Sequence, residues 1–449
     1  MTEGRQQEQQ TATSGEVRRP IVFSSRLGML LTMVGVAVGL GNVWRFPYMM
    51  GSYGGSAFLI VYLCFALLLA APALSAEWAL GRLLGAGPPA AYIHAFGPRL
   101  GLAAGGLLFM TVLVADSYYL VVIAQILLTG GFALYPGFTA GDEAAFRTLL
   151  ASGTMQYVVA LALLLFSLWV IGRGLNRGIE RLSRLVMPGF ALVMLYLIFN
   201  ALALPGAFAA LGTFLRPDFS ALSARDVFAA LGQAFFSLGL GGTFHVVYGS
   251  YLAAGQRLPG AALATALGDT TAALLATLFI VPTALVIGLD LAQGPGLIFS
   301  TLPHLFARLP AGGWLGAAFL FALAGVALLS NIAALEVAAA ALRRMHPKQQ
   351  TRILAAIFAI EAVLILPSAY DNDLIGLIDL IFGSGMQVTG SLLALIALGW
   401  AIGRERAAAA LFGPRPNRWQ RGYTAWIRWA VPLALAVILS GWLGEQTGH

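Results

Sequence analysis

The stretch from Ser24 to Tyr62, SSRLGMLLTMVGVAVGLGNVWRFPYMMGSYGGSAFLIVY, decides how the rest of the chain is read. It opens as an apolar helical run, yet it carries Gly35, Gly39 and Gly41, then Asn42, Arg45 and Pro47. A continuous lipid-facing helix has no use for that placement. Hydrocarbon offers no water to satisfy amide groups, so backbone opens at membrane depth only against protein or a water-filled cavity. The helix is expected to break there. Far downstream, Ser237-Leu238-Gly239-Leu240-Gly241-Gly242-Thr243 repeats the feature. One glycine cluster would equally serve close packing of two helices. Two clusters at corresponding positions, one with an Asn and an Arg, favour two broken helices. Carbonyls freed at such breaks bind cations, and exposed helix N-termini attract anions.

Working outward, the 449 residues are 59% hydrophobic and 10% charged, far below the charged fraction of about 25% in soluble domains. Apolar runs of about 20 residues, each enough to cross a bilayer as a helix, recur along nearly the whole length. Eleven spans are expected, starting near Arg26, Ala57, Gly101, Met155, Leu182, Val227, Ala261, Trp314, Ile353, Leu374 and Tyr423. The chain therefore reads as an all-α polytopic membrane protein. Its broken runs stand first and sixth, as in two five-helix inverted repeats, residues 24–203 and 204–403. A loop and the eleventh span fill 404–449. Residues 1–23, rich in Gln, Thr and Glu, read as a disordered cytoplasmic tail, because no short apolar core with a cleavage site follows. Between spans seven and eight, Leu297 to Leu309 is apolar but too short to cross, and fits either an outer helical lid or a surface loop.

The net charge of +7 does not signal nucleic acid, since basic residues grouped between apolar runs set membrane orientation. Arg18, Arg19 and Arg26, then Arg82 and Arg99, Arg173 to Arg184, Arg257, Arg343 to Arg352 and Arg404 to Arg421 fall on one side. Asp142, Glu143, Asp290, Asp371 and Asp373 fall on the other. The amino terminus is thus expected in the cytoplasm and the carboxyl terminus outside. The lone Cys64 permits no disulfide framework. An enzyme would need a nucleophile with a base, or a metal cluster, in one pocket, and no histidine pair at ligand spacing, phosphate loop or GxSxG is present.

The quoted stretch resembles the first span of the neurotransmitter:sodium symporter family. Similarity continues through Glu77-Trp78-Ala79-Leu80-Gly81-Arg82, Tyr119-Leu120-Val121-Val122, Gln233-Ala234-Phe235-Phe236-Ser237-Leu238, Tyr248-Gly249-Ser250-Tyr251, and Ser330 to Glu336. It covers spans one to ten. The resemblance implies the leucine-transporter fold, alternating access, and one or two sodium ions beside a central substrate. The first sodium site would use the Ala37 carbonyl, Asn42, Ser237 and, in span seven, Asp269. Animal members usually have an amide at that last place, so the carboxylate is expected to make chloride unnecessary. A carboxylate at membrane depth is functional by default, although Asp269 also fits a helix-end or packing role. The second site would use the Gly35, Val38 and Val326 carbonyls with the Ser330 hydroxyl. Leu329 stands where a ligating Thr or Asp is usual, so this site lacks an oxygen.

For the solute, Gly39 replaces the aspartate of monoamine carriers, leaving room for a carboxylate beside the sodium and Tyr119. Ala37, Gly41 and Ser237 border that position. The side-chain pocket implied by the resemblance comprises Ala115, Tyr119, Phe236, Gly239, Gly242, Ser330 and Ala334. Its small residues favour a large apolar or aromatic amino acid, unless neighbouring backbone fills the space. Outer gating falls to Arg45 and Asp379 with Phe236 closing over the solute. At the inner face, Arg18 or Arg19 supplies a basic member, Arg344 replaces the usual aspartate, and Glu336 and Tyr251 remain as partners. Asp116 fits either a proton carrier facing the cavity or a carboxylate paired with a polar neighbour. His245 reads as a packed, hydrogen-bonded residue. The Ala-rich form resembles bacterial members in an inner membrane, with the bilayer and an amino acid as partners and no obligatory protein partner. Sodium-driven import is the leading expectation; a solute sensor or an uncoupled channel on the same fold is the alternative.

Overall fold

A computed structural model describes residues 22–135, 137, 143–253, 255–288, 299, 302–308 and 311–447. Residues 1–21 with Arg18 and Arg19, and the charges Asp142 and Asp290, lie outside the described residues. The described chain is helical. It opens with α1 (Arg26–Ala37), capped by Ser25, whose hydroxyl accepts from the Gly28 amide at 3.0 Å. After a break comes α2 (Gly41–Ser52), turned by 64° from α1. Then follow α3 (Ser56–Leu84), the short α4 (Ala90–Phe96), the long α5 (Pro98–Leu134), α6 (Glu143–Leu150) and α7 (Gly153–Gly172). Next come α8 (Leu175–Leu202) and α9 (Ala207–Phe214). The second interrupted pair is α10 (Ala224–Ser237) and α11 (Phe244–Gly249). The rest is α12 (Leu258–Ile287), α13 (Leu302–Arg308), α14 (Gly312–Met345), α15 (Gln350–Tyr370), α16 (Asp373–Ile402), α17 (Arg404–Phe412) and α18 (Arg418–Thr447).

Nine helices among the described residues are long and apolar enough to cross a membrane, and the bent α1–α2 pair makes a tenth. The α10–α11 pair is too interrupted to reach that length in one piece, so a count of eleven depends on taking it as a span. Span starts fall near their expected places. The largest offset is α8, which opens at Leu175 rather than near Leu182, because Gly174 at φ +77° turns the chain straight into the helix. Part of the short apolar segment before α14 is helical: α13 buries Leu305 and Phe306, and Phe306 stacks on Phe279 at 5.9 Å.

Burial sorts the helices into layers. In α5, α12 and α14, 61% of the apolar window is buried, against 28% in α8 and α18. The first three form the centre; the last two present Leu192, Phe199, Leu433 and other side chains outward to lipid. Lipid tails are as apolar as these side chains, so helices associate through close packing and small residues rather than through exclusion of water. The α3–α11 crossing illustrates this. A Cβ on Gly81 would fall 1.7 Å from the Val246 carbonyl oxygen, and one on Gly249 would fall 2.5 Å from that of Trp78. Two glycines thus bring the second broken helix against α3.

Candidate functional site between two broken helices

Helix α1 ends because Val38 turns to extended backbone, φ −68° and ψ 125°. The amide of Gly39, which loses its helical acceptor there, is taken by Asn42 Oδ1 at 3.0 Å. The Leu40 amide points to the Tyr119 hydroxyl at 3.5 Å. On the other side of the gap, Ser330 Oγ lies 3.1 Å from both the Val36 and the Val38 carbonyl oxygens. A Cβ on Gly39 would stand 2.9 Å from the Tyr119 hydroxyl and 3.3 Å from Ser330 Oγ. Only glycine leaves those two hydroxyls open to the break.

The second break is built from Gly239 and Gly242, at φ +61° and +65°, the left-handed region that side chains disfavour. A Cβ on Gly242 would also come within 2.3 Å of the Gly390 carbonyl, and Tyr92 donates to the Gly242 carbonyl at 2.7 Å. His245 ties the break to α3: its Nδ1 accepts from the Trp78 indole at 3.3 Å, and Nε2 meets the Leu238 carbonyl at 2.7 Å. Nδ1 as acceptor and Nε2 as donor fit a neutral imidazole that ties the two elements together. Buried Glu77, which opens one of the matched runs but had no role assigned to it, lies against the Gly241–Gly242 backbone and Ser391.

Where the breaks meet, three side chains from three helices converge. Asn42 Nδ2 donates to Asp269 Oδ1 at 2.7 Å and to Ser237 Oγ at 3.0 Å, and Ser237 Oγ donates to Asp269 Oδ2 at 2.6 Å. All three are buried. Gln233 Nε2 holds the adjacent Gly41 carbonyl at 3.3 Å. The cluster offers oxygen atoms, one of them anionic, beside freed backbone carbonyls. That donor set suits a hard monovalent cation, and among the described residues no group of three or more His, Cys, Asp or Glu forms a transition-metal cage.

The opposite flank differs. Leu329, which is buried, reaches Gly35: a Cβ there would be 2.7 Å from Leu329 Cδ1. Hydrocarbon thus occupies the side on which the expected second set of Gly35, Val38, Val326 and Ser330 lacks an oxygen. Between the flanks, Ala115, Tyr119, Phe236, Ser330 and Ala334 are each partly exposed. Asp116 does not join them; it is buried and bonded to Asn331.

Toward α16, Phe236 covers Gly41, where a Cβ would meet its ring at 2.7 Å, and the Arg45 guanidinium stacks on the same ring at 4.0 Å. Arg45 and Asp379 are not in ion-pair contact. Asp379 instead accepts from the Tyr118 hydroxyl at 2.6 Å, and Arg45 feels its charge at longer range. Near the other end, Tyr251 donates to Glu336 at 2.5 Å, and Arg343 forms a salt bridge with the same carboxylate. Arg343, absent from the sequence expectation, supplies the basic partner there, while Arg344 donates to the Gly85 carbonyl at 3.2 Å.

Comparison with known proteins gives one consistent result. A family model described as the sodium:neurotransmitter symporter family matches residues 21–140 and 144–441. The sodium-dependent transporter YhdH of Bacillus subtilis is 28% identical over 95% of this chain and 98% of its own. A sodium-dependent transporter of Methanocaldococcus jannaschii is 30% identical over 86% of this chain and 82% of its own. Among solved structures, that of MhsT in complex with L-phenylalanine superimposes with a TM-score of 0.83 at 29% identity, covering 93% of this chain and 98% of that one.

Proposed function

Given that the chain belongs to the sodium:neurotransmitter symporter family, a multi-pass membrane transporter and not an enzyme, we propose that it imports a large apolar or aromatic amino acid. Sodium-coupled solute transport is the family's activity; the solute, the ion count and the orientation are our reading. The observation that carries it is the convergence of Asn42, Ser237 and Asp269 where the two helix breaks meet.

Sodium entering there replaces the hydrogen bonds around Asp269 with ion–oxygen contacts, from the carboxylate, the Ser237 hydroxyl, the Asn42 amide oxygen and the Ala37 carbonyl. The fixed charge of Asp269 balances the ion, so chloride is not required. The solute carboxylate sits beside Gly39, against the ion and the Tyr119 hydroxyl, while its side chain points to Ala115, Gly239, Gly242, Ser330 and Ala334. The phenylalanine held by MhsT supports a solute of this size. Phe236 with Arg45 above it closes the site from α16's side, and the Tyr251–Glu336–Arg343 group must open for release; exclusion of water during that exchange keeps ion and solute coupled. Leu329 makes the ion near Asp269 the dominant one. We place the protein in a bacterial inner membrane, amino terminus inside, with 24–203 and 204–403 as the inverted repeats.

Uptake of labelled phenylalanine, tryptophan, leucine, glycine and alanine into proteoliposomes, with an inward sodium or potassium gradient, tests this. Accumulation of the large solutes above the outside concentration, in sodium only and lost in Asn42→Ala, is expected. Equilibration without accumulation would favour the uncoupled-channel reading that Leu329 keeps open, and preference for glycine would overturn the size assignment.

A further inference from the structure

A second buried polar cluster, unused by the transport site, lies where α5, α7, α14 and α15 meet. Asp116 on α5 is 3% exposed, and Glu361 on α15, Asn331 on α14 and Ser167 on α7 are fully buried. Asn331 Nδ2 donates to both Asp116 oxygens, at 2.8 and 2.9 Å, and its Oδ1 accepts from Ser167 at 2.6 Å. Glu361 is the unsatisfied member: neither of its carboxyl oxygens has a hydrogen-bond partner among the described residues, and the charge of Asp116 acts on it. The other groups in reach are Tyr119 on α5, which feels Asp116, and Tyr157 on α7, whose hydroxyl donates to the Ala362 carbonyl at 3.1 Å. Neither carboxylate takes part in a salt bridge among the described residues.

Two carboxylates with no cation between them, in a low-dielectric interior, do not both stay ionised. The amide of Asn331 donates to both oxygens of Asp116 and so favours the charge there. The proton then belongs on Glu361, with Asp116 as the charged carboxylate that acts on it. An alkali ion fits less well, because the Asn331 oxygen is taken by Ser167 and α5, α7 and α14 run unbroken here, with no interior proline to free a carbonyl. We propose that Asp116 and Glu361 form a proton-binding site, separate from the ion and solute positions, whose occupancy changes during the transport cycle. The inference rests on the transport reading for its link to the cycle. That link is short in the chain. Asp116 stands one turn before Tyr119, which contacts the Leu40 amide, and Asn331 directly follows Ser330, which holds the Val36 and Val38 carbonyls. Binding that moves either contact shifts Asn331 relative to Asp116 and alters the hold on the shared proton.

The test uses the purified full chain in weakly buffered detergent solution with a pH-indicating dye. Sodium chloride and phenylalanine are added, with choline chloride as control, and intrinsic tryptophan fluorescence reports sodium binding separately. Wild type is expected to exchange about one proton per chain, since a carboxyl pair titrates as a unit. Glu361→Gln, isosteric with the protonated acid, and Asp116→Asn should bind sodium but exchange none. Equal proton exchange in both variants, or none in a wild type that binds sodium, would overturn the proposal; a wild type indifferent to sodium would sink the transport reading instead. Infrared spectroscopy supplies an arm independent of transport. The wild type should show a protonated-carboxyl band that Glu361→Gln removes, and survival of every such band in that variant would overturn the proton assignment on its own.

Discussion

The two flanks of the break in α1 make different use of the same freed backbone. On one flank, Asn42, Ser237 and Asp269 form a closed ring of hydrogen bonds of 2.6 to 3.0 Å around a carboxylate. On the other, Ser330 alone reaches the Val36 and Val38 carbonyls, and Leu329 fills the neighbouring space at Gly35. A broken helix by itself therefore does not make an ion site. The side chains brought to the gap decide how many oxygens face an ion and how much charge stands behind them.

The largest effect should come from the richer flank. Asp269→Ala removes the anion and leaves the Ser237 hydroxyl and Asn42 amide without it, at about 1.5–3 kcal/mol per lost charged hydrogen bond. Sodium-dependent uptake should fall at least tenfold, read as a shift of the half-saturating sodium concentration. Unchanged sodium dependence would remove the distinction between the flanks. Ser330→Ala should cost less, about 1 kcal/mol for a neutral hydrogen bond, a several-fold change in the same titration. Leu329→Thr sharpens the comparison from the other side, since it restores an oxygen where hydrocarbon now lies. The sodium titration should steepen toward two ions, and no change in its shape would mean that Leu329 is not what limits the second site. The smallest effect is expected at Arg45→Lys, which keeps the charge but gives up planar stacking on Phe236. Half-saturating solute should rise about twofold to fivefold, matching a cation–π contribution of about 0.5–1 kcal/mol.

The breaks were legible in the chain because glycine and Asn stand out in an apolar run, and hydrocarbon penalises them unless something uses them. Asn42, Ser237 and Asp269 were put together by the family resemblance rather than by local pattern, and hydrogen bonds join the three side chains here. Partner identity was harder to read. Asp116 and Glu361 lie far apart in sequence, and an isolated carboxylate in an apolar helix does not announce which helix it faces; only packing gives Asp116 its partner Asn331 and sets Glu361 within reach of its charge. Arg343 was hidden among several arginines at one helix end, and the turn of α14 selects it over Arg344 for Glu336. The contact between Arg45 and Phe236 likewise depends on the 64° bend, an angle no local pattern specifies.

Binding of radioactive sodium to the purified protein tests the central claim most directly, in wild type, Asp269→Ala and Ser330→Ala. The account predicts saturable binding that Asp269→Ala abolishes and Ser330→Ala only weakens. Binding that survives Asp269→Ala, or that disappears in Ser330→Ala alone, would contradict it.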